Sequence, residues 1–148
     1  MNIKFLLIDD DPDDIELFCA ALSEIDKDVV CWPLTGGTIA LSKIEGNQLD
    51  QPDVIFLDVN MPIVSGWDVL SNLKDSSLYK EIPVVMYGTF FNDREIEKAE
   101  LLGATCVMNK SFNYNKLKDN LVEIIARIKN GGLTCENGIL NLGGEMRS

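Results

Sequence analysis

Short apolar runs alternate with helix-spaced apolar positions along most of the chain. Residues 3–8 are apolar apart from Lys4, as a strand covered on both faces should be. Behind them Ile15, Phe18, Cys19 and Leu22 recur at the spacing of one helix face. Residues 29–34 predict a second strand, and Trp32-Pro33 marks it as an edge, because proline has no N–H to give to a ladder. Thr35 is placed to cap the next helix, which turns Ala40, Leu41 and Ile44 inward. Val54-Ile55-Phe56-Leu57 predicts a third strand, with Trp67, Leu70 and Leu73 on the helix after it. Residues 83–87 predict a fourth. Asn92 and Glu95 have the spacing of a capping box for a helix bearing Ile96, Ala99 and Leu102, stopped by Gly103. Residues 105–108 predict a fifth strand, and Leu117, Leu121, Ile124, Ile125 and Ile128 give the last helix its apolar stripe.

Five strand–helix units in succession imply a parallel sheet with helices on both faces, joined by right-handed crossovers. Residues 1–129 therefore read as one doubly wound α/β domain. Residues 130–148 form a C-terminal extension that holds five of the eleven glycines. It reads first as a poorly ordered tail. The alternative is a small hairpin, docked on the domain or on a partner, because Asn137-Gly138 separates two short apolar segments as a two-residue turn does.

Charge narrows the function classes. The 148 residues include 13 Lys and Arg against 24 Asp and Glu, a net charge of −11. Phosphate backbones and anionic membrane surfaces need a basic face, so neither is an expected partner. There is no histidine, which removes Ser-His-Asp and Cys-His catalysis and imidazole zinc sites. The start of the chain meets aspartates after only a short apolar run, so an export signal is not expected. Cys19, Cys31, Cys106 and Cys135 stand singly without CxxC spacing and read as buried free thiols of a cytoplasmic protein.

The negative charge is densest at residues 9–16, where six of eight residues are acidic. Asp11 suits an N-cap, Pro12 the first helical position, and Asp13 and Asp14 the first turn, where the helix dipole favours anions. Asp9 and Asp10 are left at the carboxyl end of strand 1. Adjacent carboxylates repel, and a hard divalent cation such as Mg²⁺ is the simplest remedy. Ligands of open parallel sheets bind beyond the carboxyl ends of the strands. Strand 3 delivers Asp58 to that rim and strand 5 delivers Lys110. A nucleophilic carboxylate, carboxylates that hold a cation and an ammonium group suit phosphoryl acceptance.

At these residues the chain resembles the receiver domains of bacterial two-component response regulators. The likeness covers about residues 3–129. It rests on Leu6-Leu7-Ile8-Asp9-Asp10, Leu57-Asp58-Val59-Asn60-Met61-Pro62 with Gly66, Ile82-Pro83-Val84-Val85-Met86, Gly103-Ala104 and Lys110. It implies a five-stranded flavodoxin-like sheet of order 2-1-3-4-5. It implies that Asp58 accepts a phosphoryl group from a histidine kinase or histidine phosphotransfer protein, and that Lys110 contacts that group. Mg²⁺ would be held by Asp10 directly, by Asp9 in an assisting role, by Asp58 and by the backbone carbonyl of Asn60. The chain would be a stand-alone signalling module rather than an enzyme with an external substrate, promoting only its own phosphorylation and dephosphorylation. Whether the face around helix 4, strand 5 and helix 5 pairs two copies stays open.

The chain departs from the family pattern at three places. Gly88 stands where receivers carry a Ser or Thr at the end of strand 4, which leaves Thr89 as the hydroxyl candidate. Val107 replaces the aromatic switch residue of strand 5, and Ser111 replaces the proline after the lysine, so the usual cis peptide is not expected. The first two motivate an alternative reading, a receiver-like scaffold that binds protein partners without switching. A haloacid-dehalogenase-like phosphohydrolase, suggested by the Asp9-x-Asp11 spacing, would leave Asp58 and Met61-Pro62 without a role.

Overall fold

The computed structural model describes residues 2–140 and 142. Among them β1 (Lys4–Asp9), α1 (Pro12–Ile25), β2 (Val30–Thr35), α2 (Gly37–Glu45), β3 (Val54–Asp58), α3 (Gly66–Asp75), β4 (Val84–Gly88), α4 (Asp93–Leu101), β5 (Cys106–Asn109) and α5 (Tyr114–Lys129) alternate in order. The first five strands are parallel, in the order β2-β1-β3-β4-β5, with β2 at an edge.

Alternation within each strand builds two cores. Phe5, Leu7 and Phe56 join Phe18, Leu22, Leu121 and Ile124 of α1 and α5 on one face. Leu6, Ile8, Ile55 and Leu57 join Ile44, Leu70 and Leu73 of α2 and α3 on the other. Phe5, Phe18, Phe56 and Tyr87 make a continuous aromatic cluster, with 5.2 Å between the Phe18 and Phe56 ring centroids and 5.7 Å between those of Phe56 and Tyr87. Tyr87 of that cluster pairs with Asp58 across β3 and β4.

Local signals place most helix starts. The Asp11 carboxylate accepts from the Asp13 N–H with Pro12 in the first turn, and Asn92 with Glu95 closes a capping box on α4. Thr35 does not cap α2. It is the last residue of β2, and Gly36 at φ 109° is the cap, a backbone conformation open to glycine that brings no side-chain oxygen. No cis peptide occurs among the described residues, as Ser111 implied.

Two further short strands lie in the extension. β6 (Cys135–Glu136) and β7 (Ile139–Leu140) pair antiparallel around Asn137-Gly138, and β7 adds in parallel to β5. The sheet is thus seven-stranded, β2-β1-β3-β4-β5-β7-β6, rather than five-stranded, and β5 is no longer an edge. The Val107 N–H donates to the Gly138 carbonyl at 2.9 Å, and Leu140 and Leu142 are buried in the α1–α5 core. Residues 141 and 143–148 of the extension, like Met1, lie outside the described residues.

The cysteines also depart from expectation. All four are paired, Cys19 of α1 with Cys31 of β2 and Cys106 of β5 with Cys135 of β6, at Cα separations of 5.6 and 6.0 Å. Sequence spacings of 12 and 29 residues gave no hint of either, because each pair meets only through packing of neighbouring elements. A reducing compartment opens such bonds. The hairpin then rests on the β7 pairing and on Leu140 and Leu142, which involve no sulfur.

Gly138 has φ +80°, and a Cβ there would meet Ile96 Cγ2 of α4 at 2.6 Å. Gly138→Val is therefore expected to lift the hairpin from β5, at a cost of about 1–3 kcal/mol to the docked state. Faster hydrogen exchange at the Val107 amide, with β1 and β3 amides unchanged, is the expected reading.

Candidate functional site

The carboxyl ends of β1, β3 and β5 converge on a cleft of about 400 Å³ lined by Asp10, Asp58, Asn60, Thr89 and Lys110, together with Asp11, Pro12 and Asp14 at the start of α1. Asp9 closes β1 and is fully buried. Its Oδ1 accepts from the Asp11 N–H at 3.0 Å, and its Oδ2 accepts from Lys110 Nζ at 3.1 Å. Asp58 closes β3, is 5% exposed, and accepts from the Asn60 N–H at 3.4 Å. Asp10 is half-buried beside them.

Lys110 follows β5. Its backbone N–H donates to the Gly88 carbonyl at 2.7 Å, which fixes its root against β4. Its Nζ lies 3.5 Å from Asp58 Oδ1 and 5.4 Å from the Tyr87 ring centroid, so an aromatic face adds to the carboxylates around the ammonium.

Electrostatics follow from this crowding. Burial above all, and then the charge of Asp9, push the Asp58 carboxyl up to about 7 against the pull of Lys110. For Lys110 burial works against the charged form. The hydrogen bond to Asp14 and the charges of Asp9 and Asp58 outweigh it and hold the ammonium above the usual lysine range.

Asp9, Asp10 and Asp58 each offer a carboxylate oxygen within 4.8 Å of the others. One ammonium does not neutralise three such carboxylates, and the donors are all hard oxygens. The set suits a small divalent cation, with Asn60 beside it on the loop after β3.

Thr89 is exposed on the bend after β4 and lines the cleft. At Gly88 a Cβ would stand 3.2 Å from the Phe91 ring, so a side chain there requires that ring to give way by a few tenths of an ångström. Val107 is buried and tied to the hairpin.

Asp14 has a second role that sequence reasoning missed. It lies in the first turn of α1, as expected, but its Oδ2 accepts from Lys110 Nζ at 2.8 Å. A signal was available, because helical side chains lean toward the N-terminus and a first-turn residue leans over the strand ends.

The chain belongs to the family of response regulator receiver domains, whose pattern it matches over residues 5–122. Its relatives include the response regulator Rcp1 of Synechocystis sp., 30% identical over 118 residues, which are 76% of this chain and 79% of Rcp1. The phosphorylated cyanobacterial phytochrome response regulator RcpA superposes with a TM-score of 0.76 at 27% identity, over 88% of this chain and 96% of that one. The Mn²⁺-bound form of Rcp1 does so with a TM-score of 0.74 at 26% identity, over 90% of this chain and 99% of that one. The chain spans only 35% and 36% of the protein-glutamate methylesterases that it also matches. Among the described residues no helix is long and apolar enough to cross a membrane.

Proposed function

We propose that this chain is a response regulator receiver whose Asp58 accepts a phosphoryl group, in a Mg²⁺-dependent reaction, from a histidine kinase or histidine phosphotransfer protein. It acts in the cytoplasm through protein contacts. The observation that carries this reading is the placement of Asp58, a carboxylate 5% exposed at a strand end, 3.5 Å from a lysine and within 4.8 Å of two further carboxylates. The phosphorylated state of RcpA and the metal-bound state of Rcp1, both relatives in fold, support it.

In the proposed reaction a carboxylate oxygen of Asp58 attacks phosphorus, forming an O–P bond as the donor's P–N bond breaks. The leaving imidazole takes up a proton. Lys110 binds an oxygen of the transferring group as a point charge. Asp9, Asp10, Asp58 and the Asn60 carbonyl would hold Mg²⁺, which when bound neutralises charge on the phosphoryl oxygens. Asp9 also keeps Lys110 at the acceptor, and the buried Tyr87 ring lies beside the ammonium. Thr89, which also lines the cleft, offers its hydroxyl. The net charge of −11 supports protein rather than nucleic-acid partners.

Incubation with Mg²⁺ and acetyl phosphate, followed by intact-mass measurement, tests the reading. One phosphoryl adduct is expected on the native chain, and none with Asp58→Asn or with the metal chelated. An adduct that survives chelation would overturn the metal dependence, and no adduct at all would overturn the function.

A further inference from the structure

Lys110 is held more tightly by helix α1 than by the acceptor it serves. Its Nζ is 2.8 Å from Asp14 Oδ2, 3.1 Å from Asp9 Oδ2 and 3.5 Å from Asp58 Oδ1. An ammonium has three N–H donors and no acceptor. Two of them are taken by good hydrogen bonds, one to a strand end and one to the first turn of α1. The third is left on the side of Asp58. Lysine is a flexible four-carbon stem with a compact head, so its head has no fixed direction unless its surroundings impose one. The Lys110 side chain is 11% exposed and that of Asp14 is 35% exposed, so the pair is partly withdrawn from water.

We propose that Asp14 is a positioning residue for phosphoryl transfer, anchoring Lys110 from α1 so that its remaining N–H faces the group arriving on Asp58. The proposal rests on the phosphoacceptor reading and extends it to a residue outside the metal-binding set. Asp14 acts through Lys110, whose ammonium it holds in place before the donor arrives. The helix that begins the fold is thereby joined to the chemistry by one hydrogen bond, and any movement of α1 is felt at Lys110.

The test is the rate of Asp58 phosphorylation by acetyl phosphate at saturating Mg²⁺, followed as a function of donor concentration in the full chain. Asp14→Ala is expected to lower the maximal rate about tenfold or more, because misdirecting a catalytic group is costly. Asp14→Asn keeps an oxygen acceptor and is expected to recover part of the rate. In a Lys110→Ala background the same Asp14→Ala change is expected to do nothing further, since the group it aims is gone. The thermal midpoints of the two Asp14 variants are measured alongside to show that both are folded. The proposal is overturned by a folded Asp14→Ala protein with the native maximal rate. It is also overturned by an equal loss with and without Lys110, or by a change confined to the Mg²⁺ concentration required. If the native chain takes up no phosphoryl group while Mg²⁺ is bound, the phosphoacceptor reading itself fails, an outcome distinct from any of these.

Discussion

Asp58→Asn is expected to make the metal-free protein more stable at pH 8 by on the order of 3–4 kcal/mol, while abolishing phosphoryl acceptance. The fold holds Asp58 where burial and the neighbouring Asp9 raise its carboxyl from 3.8 to about 7. Between those two values the unfolded chain has released the proton and the folded chain keeps it. Stability therefore falls as pH rises through that window and levels off above about 7. Asparagine keeps the shape and removes the charge, and Lys110 retains Asp9 and Asp14 as partners. Urea unfolding of both proteins at pH 4 and pH 8, in the presence of a chelator, checks this. The gap between them should be large at pH 8 and small at pH 4. Added Mg²⁺ should close it at pH 8 by stabilising the native protein alone or preferentially, because a ligand bound only to the folded state raises its stability. Equal stability of the two proteins at pH 8 would mean that Asp58 carries no electrostatic strain.

The second large effect is expected at Gly66, the first residue of α3. A Cβ there would stand 2.1 Å from the Asp58 carbonyl oxygen and 2.9 Å from the Val59 Cα. Both neighbours are backbone, so no side chain can rotate away, and the loop from β3 into α3 must move. The Gly66 N–H donates to the Val59 carbonyl at 3.0 Å, and that bond would lengthen with it. Gly66→Ala should lower stability by about 3 kcal/mol. It should also weaken Mg²⁺ binding, because Asp58 and Asn60 flank the displaced segment. Calorimetric titration with Mg²⁺ reads the second effect separately from the first. Native Mg²⁺ affinity in a destabilised variant would show that the loop absorbs the Cβ without disturbing the site.

Much of this was legible because it is local. The capping of α1 by Asp11-Pro12 and the capping box of Asn92 and Glu95 depend only on residues two or three apart, and both stand as read. A second box, Ser65 with Asp68 on α3, has the same spacing and was open to the same reading. The acidic pair, Asp58 and Lys110 were legible through the rule that strand ends gather at one rim, and the family likeness then gave the sheet order. What escaped depends on contacts between distant segments. The sulfur pairs require α1 to pack on β2 and β6 to reach β5. The docking of the hairpin depends on a free edge at β5 and on burial of Leu140 and Leu142, neither of which has a sequence period. Asp14 was read by its position in the helix, where an acid is expected in any case, and that sufficient local reason concealed its tertiary partner. Thr35 failed in the opposite sense. Its residue type suits a cap, but β2 extends through it and the turn needs the positive φ of Gly36.

The central claim is that Asp58, and no other carboxylate in this crowded cleft, receives the phosphoryl group. Borohydride reduces an acyl phosphate to the alcohol, so a phosphorylated aspartate becomes homoserine and the change survives digestion. The full chain is treated with Mg²⁺ and acetyl phosphate, then with borohydride, and its peptides are mapped by tandem mass spectrometry. Homoserine at position 58 alone is the result this account predicts. Homoserine at position 9, 10 or 14, or an unmodified Asp58 in a chain that has bound Mg²⁺, would contradict it.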